Sequence, residues 1–374
     1  MSRRQRGFTL IELMIAATIM IVAVVIASSL MVTGATLTRN ADQRIETSDD
    51  ARLAMSDIVK ALLGAGHGAG QGVYILGLAD SSPQLYMPVF GMDGTTGAGY
   101  GLHGSASPLS AAQATDDLWV IGAHPNTLRE SCKDPGAAAT VTNFGTGAIN
   151  VICTGSFTAG DTLLLSNMDK AALLSNITIS GTTIGYAESS SGISDSPEHG
   201  GFQVGDMVYG AQVWHYFVKN DASGVPGLYK SRGVLSGTAP AGTYPNGPYP
   251  TVGRPFQDAD TGTLVQQFVE DLQVKYALDT SGTGNPANFT WVDGLSPQVT
   301  AASGVPVPLR AVRVSVGVRS AGPILDEHSH PVLSTVTQPI MIENHYATQP
   351  APDGYRHVMY TRTIELPNVN PGSL

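Results

Sequence analysis

From Phe8 to Ala27 the chain reads FTLIELMIAATIMIVAVVIA, with two threonines, one glutamate and otherwise only apolar side chains. Twenty helical residues span ~30 Å, the thickness of a bilayer core. Arg3, Arg4 and Arg6 precede the run with no acid among them. That bias keeps the N-terminus cytoplasmic and places the rest of the chain across the membrane. A cleaved secretory signal also begins with basic residues and an apolar stretch. Here the run exceeds the usual ~7–15 residues, and no small-x-small site closes it. A plain anchor leaves Glu12 unexplained, because a carboxylate inside a span costs roughly 2.5 kcal/mol or more and marks a functional position.

Composition constrains the remaining 347 residues or so beyond the run. Only 13 % of the 374 residues are charged, and 43 Gly and 23 Pro make the chain loop-rich. Low charge argues against a highly charged disordered chain and a coiled coil. The first 64 residues are nearly balanced, with seven basic and six acidic side chains, so residues 65–374 carry a net charge of −11. An acidic body is not expected to take nucleic acid as a partner. Two cysteines exclude a cysteine-dense scaffold and a four-cysteine zinc site.

Arg6-Gly7-Phe8-Thr9-Leu10-Ile11-Glu12-Leu13 combines a basic leader, Gly before Phe, and Glu four residues after Phe, all opening an apolar helix. This segment resembles the processing and methylation signature of type IV prepilins and type II secretion pseudopilins. The resemblance implies cleavage by prepilin peptidase between Gly7 and Phe8, methylation of the new N-terminus, and Glu12 as the fifth residue of the mature chain. A buried Glu12 paired with a neighbouring subunit's amino terminus would offset two desolvation costs and fix axial register. The succession VWHYFV, GLYKSRG, LVQQFVEDLQVKYAL, AVRVSVGVRS and YRHVMYTRTIEL resembles PilW-type minor pilins. The likeness covers residues 6–72 and about 210–366, leaving 73–205 unmatched. The J-type pseudopilin of type II secretion is the near relative, with a head that is usually much shorter.

The pattern beyond the span supports an α+β, pilin-like fold. Ala51, Met55, Ile58 and Leu62 recur at helical spacing with Arg52, Asp57 and Lys60 among them. They predict an amphipathic continuation of the same helix, packed by one stripe on the head. The helix is expected over 8–63, membrane-spanning over about 8–30, with Gly34 as a soft point. Residues 1–7 form the leader and 64–374 a β-rich head, with 73–205 a candidate insertion. Gly64-Ala-Gly-His-Gly-Ala fits a dinucleotide fingerprint formally, but it follows a helix rather than a strand and reads as a helix stop. Residues 73–117 read as mostly loop. Strand signals lie at 118–121, 162–165, 207–209, 213–218, 228–230, 268–278, 309–320 and 355–366. Val312, Val314, Val316 and Val318 alternate with polar or small residues at a period of two. No helical pattern is interleaved, so the sheets are expected to be mostly antiparallel.

Other motifs carry little chemistry. Cys132 and Cys153 form a disulfide if the head lies in an oxidising compartment, and otherwise remain two free thiols. His328 and His330, beside Asp326 and Glu327, have metal-ligand spacing on a strand but no second ligand pair. Asp258 and Asp260 lack the closing Glu of a calcium loop. Trp214, Tyr216 and Phe217 read as core rather than a binding platform. No nucleophile elbow, P-loop or His-Glu-x-x-His is present. The expectation is a minor pilin without cofactor or enzymatic activity. It would sit in the inner membrane with its head in the periplasm and then enter an extracellular pilus. Its partners would be prepilin peptidase, the major pilin, other minor pilins and the inner-membrane assembly platform. A bulky head suits pilus initiation or the tip. A J-type pseudopilin and a pilin-borne adhesin using 73–205 are the competing readings.

Overall fold

The computed structural model describes residues 9–69, 73–75, 85–91, 115–123, 139–145, 147–154, 157–167, 171–174, 177–186, 202–235, 256–258, 261–282, 285–294, 307–324, 354–366 and 369. One apolar N-terminal helix, α1 (Leu10–Gly64), carries a mostly antiparallel β body. The helix passes through Gly34 without a break, although a glycine there is its weakest intrinsic position.

Burial divides α1 into two parts. Residues 9–35 are exposed on every face. The most apolar stretch of the helix is long enough to cross a membrane, and none of it is buried against the head. Three threonines in this half and just beyond it bond back to their own helix. Thr18 Oγ1 donates to the Ile15 carbonyl at 2.8 Å, and the Thr36 and Thr38 hydroxyls bond back to Val32 and Gly34. That suits an apolar surrounding, where an unpaired hydroxyl is costly. Further along, Ala51, Met55, Ile58 and Leu62 are at most 1 % exposed, as the stripe predicted, and Ala54 is buried beside them. Each fully buried large apolar side chain contributes roughly 1.5–3 kcal/mol.

The head begins with short strands: β1 (Val73–Ile75), β2 (Leu85–Tyr86), β3 (Val89–Phe90) and β4 (Leu118–Ala123). Next come β5 (Ala139–Gly145), β6 (Ala148–Val151), β7 (Leu163–Ser166), β8 (Ala171–Leu174), β9 (Thr178–Ser180) and β10 (Thr183–Gly185). After these lie β11 (Met207–Asn220), β12 (Pro226–Leu235), β13 (Phe256–Asp258) and β14 (Thr263–Gln267). The last are β15 (Val269–Leu278), β16 (Thr290–Val292), β17 (Leu309–Arg319) and β18 (His357–Glu365). Three short strands therefore lie within the stretch read as loop. The two aromatic-rich runs at 207–209 and 213–218 are a single strand, because Gly210 and Ala211 continue the ladder between them.

Among the described residues, fourteen strands join in one network and β16-β15-β17-β18 form a second sheet. Strand β11 is the organiser. Its first residues pair with β7 and β5, and its later ones with β4 and β12. The runs at 213–218 and 228–230 pair as the β11–β12 hairpin, with Phe217 opposite Tyr229. Pairing is antiparallel except between β1 and β8. One core unites the α1 stripe with Tyr216, Leu228 and the inward residues of β15 and β17. A separate core lies under β5, β6, β7 and β10.

Asp116 and Asp117 join the two sheets. The Asp116 N–H donates to the Leu272 carbonyl, and its Oδ2 accepts from the Val274 N–H at 2.7 Å. Asp117 Oδ2 faces the other way, accepting from Trp119 Nε1 at 3.3 Å and lying 3.2 Å from His215 Nε2. His215 is fully buried, stacked on Trp119 with ring centroids 4.0 Å apart. Buried charged groups persist only with such partners.

Candidate assembly stem and its anchorage

The site resolves into a free helix end and a joint where that helix enters the head. At the free end Thr9 is the N-cap of α1 in an extended conformation. Its hydroxyl accepts from the Glu12 N–H, while Glu12 Oε2 accepts from both the Thr9 N–H and the Thr9 hydroxyl at 2.9 Å. This reciprocal capping box satisfies two donors that a helix start leaves unpaired. The Thr-x-x-Glu spacing could have shown it in the sequence. Glu12 Oε1 takes no bond within the described chain. Gly7 and Phe8 lie outside the described residues.

At the far end, α1 docks against β4. Ala65 bridges Gly122, and the Gly66 N–H donates to the Ile121 carbonyl at 2.9 Å. A Cβ on Gly122 would lie 2.3 Å from the Gly64 carbonyl oxygen, so only glycine permits this approach. Asp57 on the flank of α1 ties the helix to the hairpin. Its Oδ2 accepts from the Tyr216 hydroxyl at 2.7 Å and from Lys230 Nζ at 3.1 Å. Lys230 also sits over the Trp214 ring at 4.2 Å. Burial, reinforced by the Asp57 carboxylate, pushes the Tyr216 phenol far above its ordinary range. Nothing local in the sequence marks this contact, because the partners are 159 and 173 residues apart.

Of the weighed aromatics, Tyr216 and Phe217 are buried and Trp214 packs on the core from a half-buried position. Cys153 is disulfide-bonded, and Cys132 lies outside the described residues. His328, His330, Asp260 and the Asp258 side chain also lie outside them. Among the described residues no group of three His, Cys, Asp or Glu could hold a metal.

A bare apolar stem embedded at one end in an antiparallel head defines a pilin-like protein. Residues 2–28 match the prokaryotic N-terminal methylation motif, and residues 215–368 match the type IV pilus-assembly protein W family. Together they support the conclusion that the chain is a minor pilin of the type IV pilus. The second match begins at His215 and covers the hairpin, β15, β17 and β18, which hold the stem. No curated protein and no solved structure is significantly similar to the chain.

Proposed function

We propose that the protein is an inner-membrane prepilin. On this reading, prepilin peptidase cuts it between Gly7 and Phe8, and the mature chain enters a pilus with its head carried outside the membrane. The observation that carries this reading is the methylation motif lying on a helix whose residues 9–35 are exposed all round. An apolar stem leaving the bilayer must bury that surface again, and packing against neighbouring stems does so. Glu12 Oε1, unbonded within the described chain, is the atom that would accept from a neighbouring subunit's amino terminus. The match to a pilus-assembly family favours the pilus over a type II secretion pseudopilin. A head of about 300 residues on one helix favours pilus initiation or the tip over a close-packed shaft. Its partners are then the major pilin, other minor pilins and the assembly platform.

Mass spectrometry of the protein from pili should find an N-terminal methylated Phe8. A chain that retains Met1–Gly7, or one cut elsewhere, overturns the proposal. We also assign the bond at Cys153 to Cys132, the other cysteine in the chain. Closing a loop of about 20 residues stabilises by ~3 kcal/mol in the chain-entropy model. Both thiols should resist alkylation in the native protein and label after reduction, whereas labelling without reductant excludes the bridge.

A further inference from the structure

The four-stranded face formed by β5, β6, β10 and β9 is unlike the rest of the molecule. The inner side packs Val141, Ile149, Val151 and Ile184 into the second core. On the outer side the register aligns Asn143, Asn150, Thr183 and Ser180 in one row across all four strands. The adjacent row is Gly145, Ala148, Gly185 and Thr178. A ridge of neutral hydrogen-bonding groups therefore runs beside a floor almost without side chains. At ~4.8 Å per strand the ridge is ~14 Å long, the reach of a short oligosaccharide. Ile152, two residues beyond Asn150 and on the same face, is 60 % exposed.

We propose that this face binds a neutral glycan, laid across the strands. Three features support it. None of the four strands carries a charged side chain in a chain of net charge −10, so the strands themselves offer no counter-charge to an ionic ligand. Amides and hydroxyls both donate and accept, which matches a sugar hydroxyl group for group. Two of the groups are pre-set and two have no side-chain partner among the described residues. Thr183 Oγ1 donates to Asn150 Oδ1 at 2.7 Å, which orients that amide and leaves its NH₂ without a partner among the described residues. The Asn143 amide and the Ser180 hydroxyl have no side-chain partner in the described chain. Ile152 supplies an apolar contact for a ring's C–H face. Protein-binding patches are instead enriched in aromatic residues, Met and Arg, and the outer rows hold none. The site goes beyond the pilin assignment and stands or falls without it.

The test uses the full chain in phosphatidylcholine nanodiscs, titrated with cellohexaose, maltohexaose, chitohexaose and an anionic hexagalacturonate. At least one neutral hexasaccharide should bind with a Kd of about 1 mM or tighter, and the anionic one more weakly. Ala148→Arg, which raises a long cation from the floor, should weaken binding at least tenfold. The double change Asn143→Ala/Ser180→Ala removes only unpartnered groups, so it should weaken binding while leaving thermal unfolding unchanged. The proposal fails if none of the three neutral sugars binds, or if neither variant alters binding. It also fails if Asn143→Cys cross-links efficiently to another copy, because the face would then be a protein contact.

Discussion

Gly122→Ala is expected to cost about 3 kcal/mol of head stability, at the upper end of overpacking penalties. The methyl group would sit 2.3 Å from the Gly64 carbonyl oxygen, a backbone atom held by the end of α1 and unable to rotate aside. Relief requires the helix terminus to move away from β4, breaking the Ala65–Gly122 bridge and the Gly66–Ile121 hydrogen bond. Leu62, fully buried just before the terminus, would move with it. Gly64→Ala is the matched control. Its Cβ meets nothing within 4 Å, and alanine at a helical position is favoured by roughly 0.5–1 kcal/mol. Urea unfolding followed by tryptophan fluorescence should show a much lower midpoint for Gly122→Ala and an equal or higher one for Gly64→Ala. Limited proteolysis should release the head from the stem only in the first variant. Equal midpoints for the two variants would show that the helix end is not tightly docked.

The second large effect is alkaline. Burial, then Asp57, raises the Tyr216 phenol, and burial, then Asp117 and Asp116, raises Tyr276 well above its ordinary value. In the unfolded chain both titrate near pH ~10. The folded state therefore keeps protons that the unfolded state loses. The stabilisation is fully present below about pH 10 and falls as pH rises above it toward the folded values. Each tyrosine contributes a slope of ~1.4 kcal/mol per pH unit, so the two together give ~2.7. Tyr209 and Tyr229, raised mainly by burial, add to the same trend. Tyr216→Phe should remove one such contribution from the slope between about pH 10 and 11. It should also lower stability at neutral pH by about 1.5 kcal/mol through loss of the bond to the Asp57 carboxylate. An unchanged alkaline slope in Tyr216→Phe would mean that the phenol ionises freely in the folded head.

Much of the protein is legible in order along the chain. The apolar run at 8–27 calls for a membrane-length helix, because Glu12 and two threonines are its only polar residues, and residues 9–27 are exposed among the described residues. The spacing of Ala51, Met55, Ile58 and Leu62 identifies the buried stripe, because helical period and a single wet face leave no other choice. Alternation picks out β17 and β18, and Asn220–Gly224 marks the hairpin between β11 and β12. Residues 139–185 carry far less signal. Apart from β7, marked by the run at 162–165, and the seven-residue β5, the strands here have three or four residues and almost no periodicity, and their strand character comes from the ladders they join.

Local order along the chain thus dictates the stem, the stripe that seats it, the antiparallel character of the head and the match to the methylation motif at its start. Those depend on period, composition and residues close together in the chain. The placement of β11 across three buried clusters, and of Asp57 against Tyr216 and Lys230, arises in the folded head alone. So do the clasp of Asp116 and Asp117 on opposite sheets and the alignment of Asn143, Asn150, Thr183 and Ser180. Each of these brings together groups far apart in sequence. They are fixed by strand register and by the need to pair buried charge, and neither leaves a local trace in the order of residues.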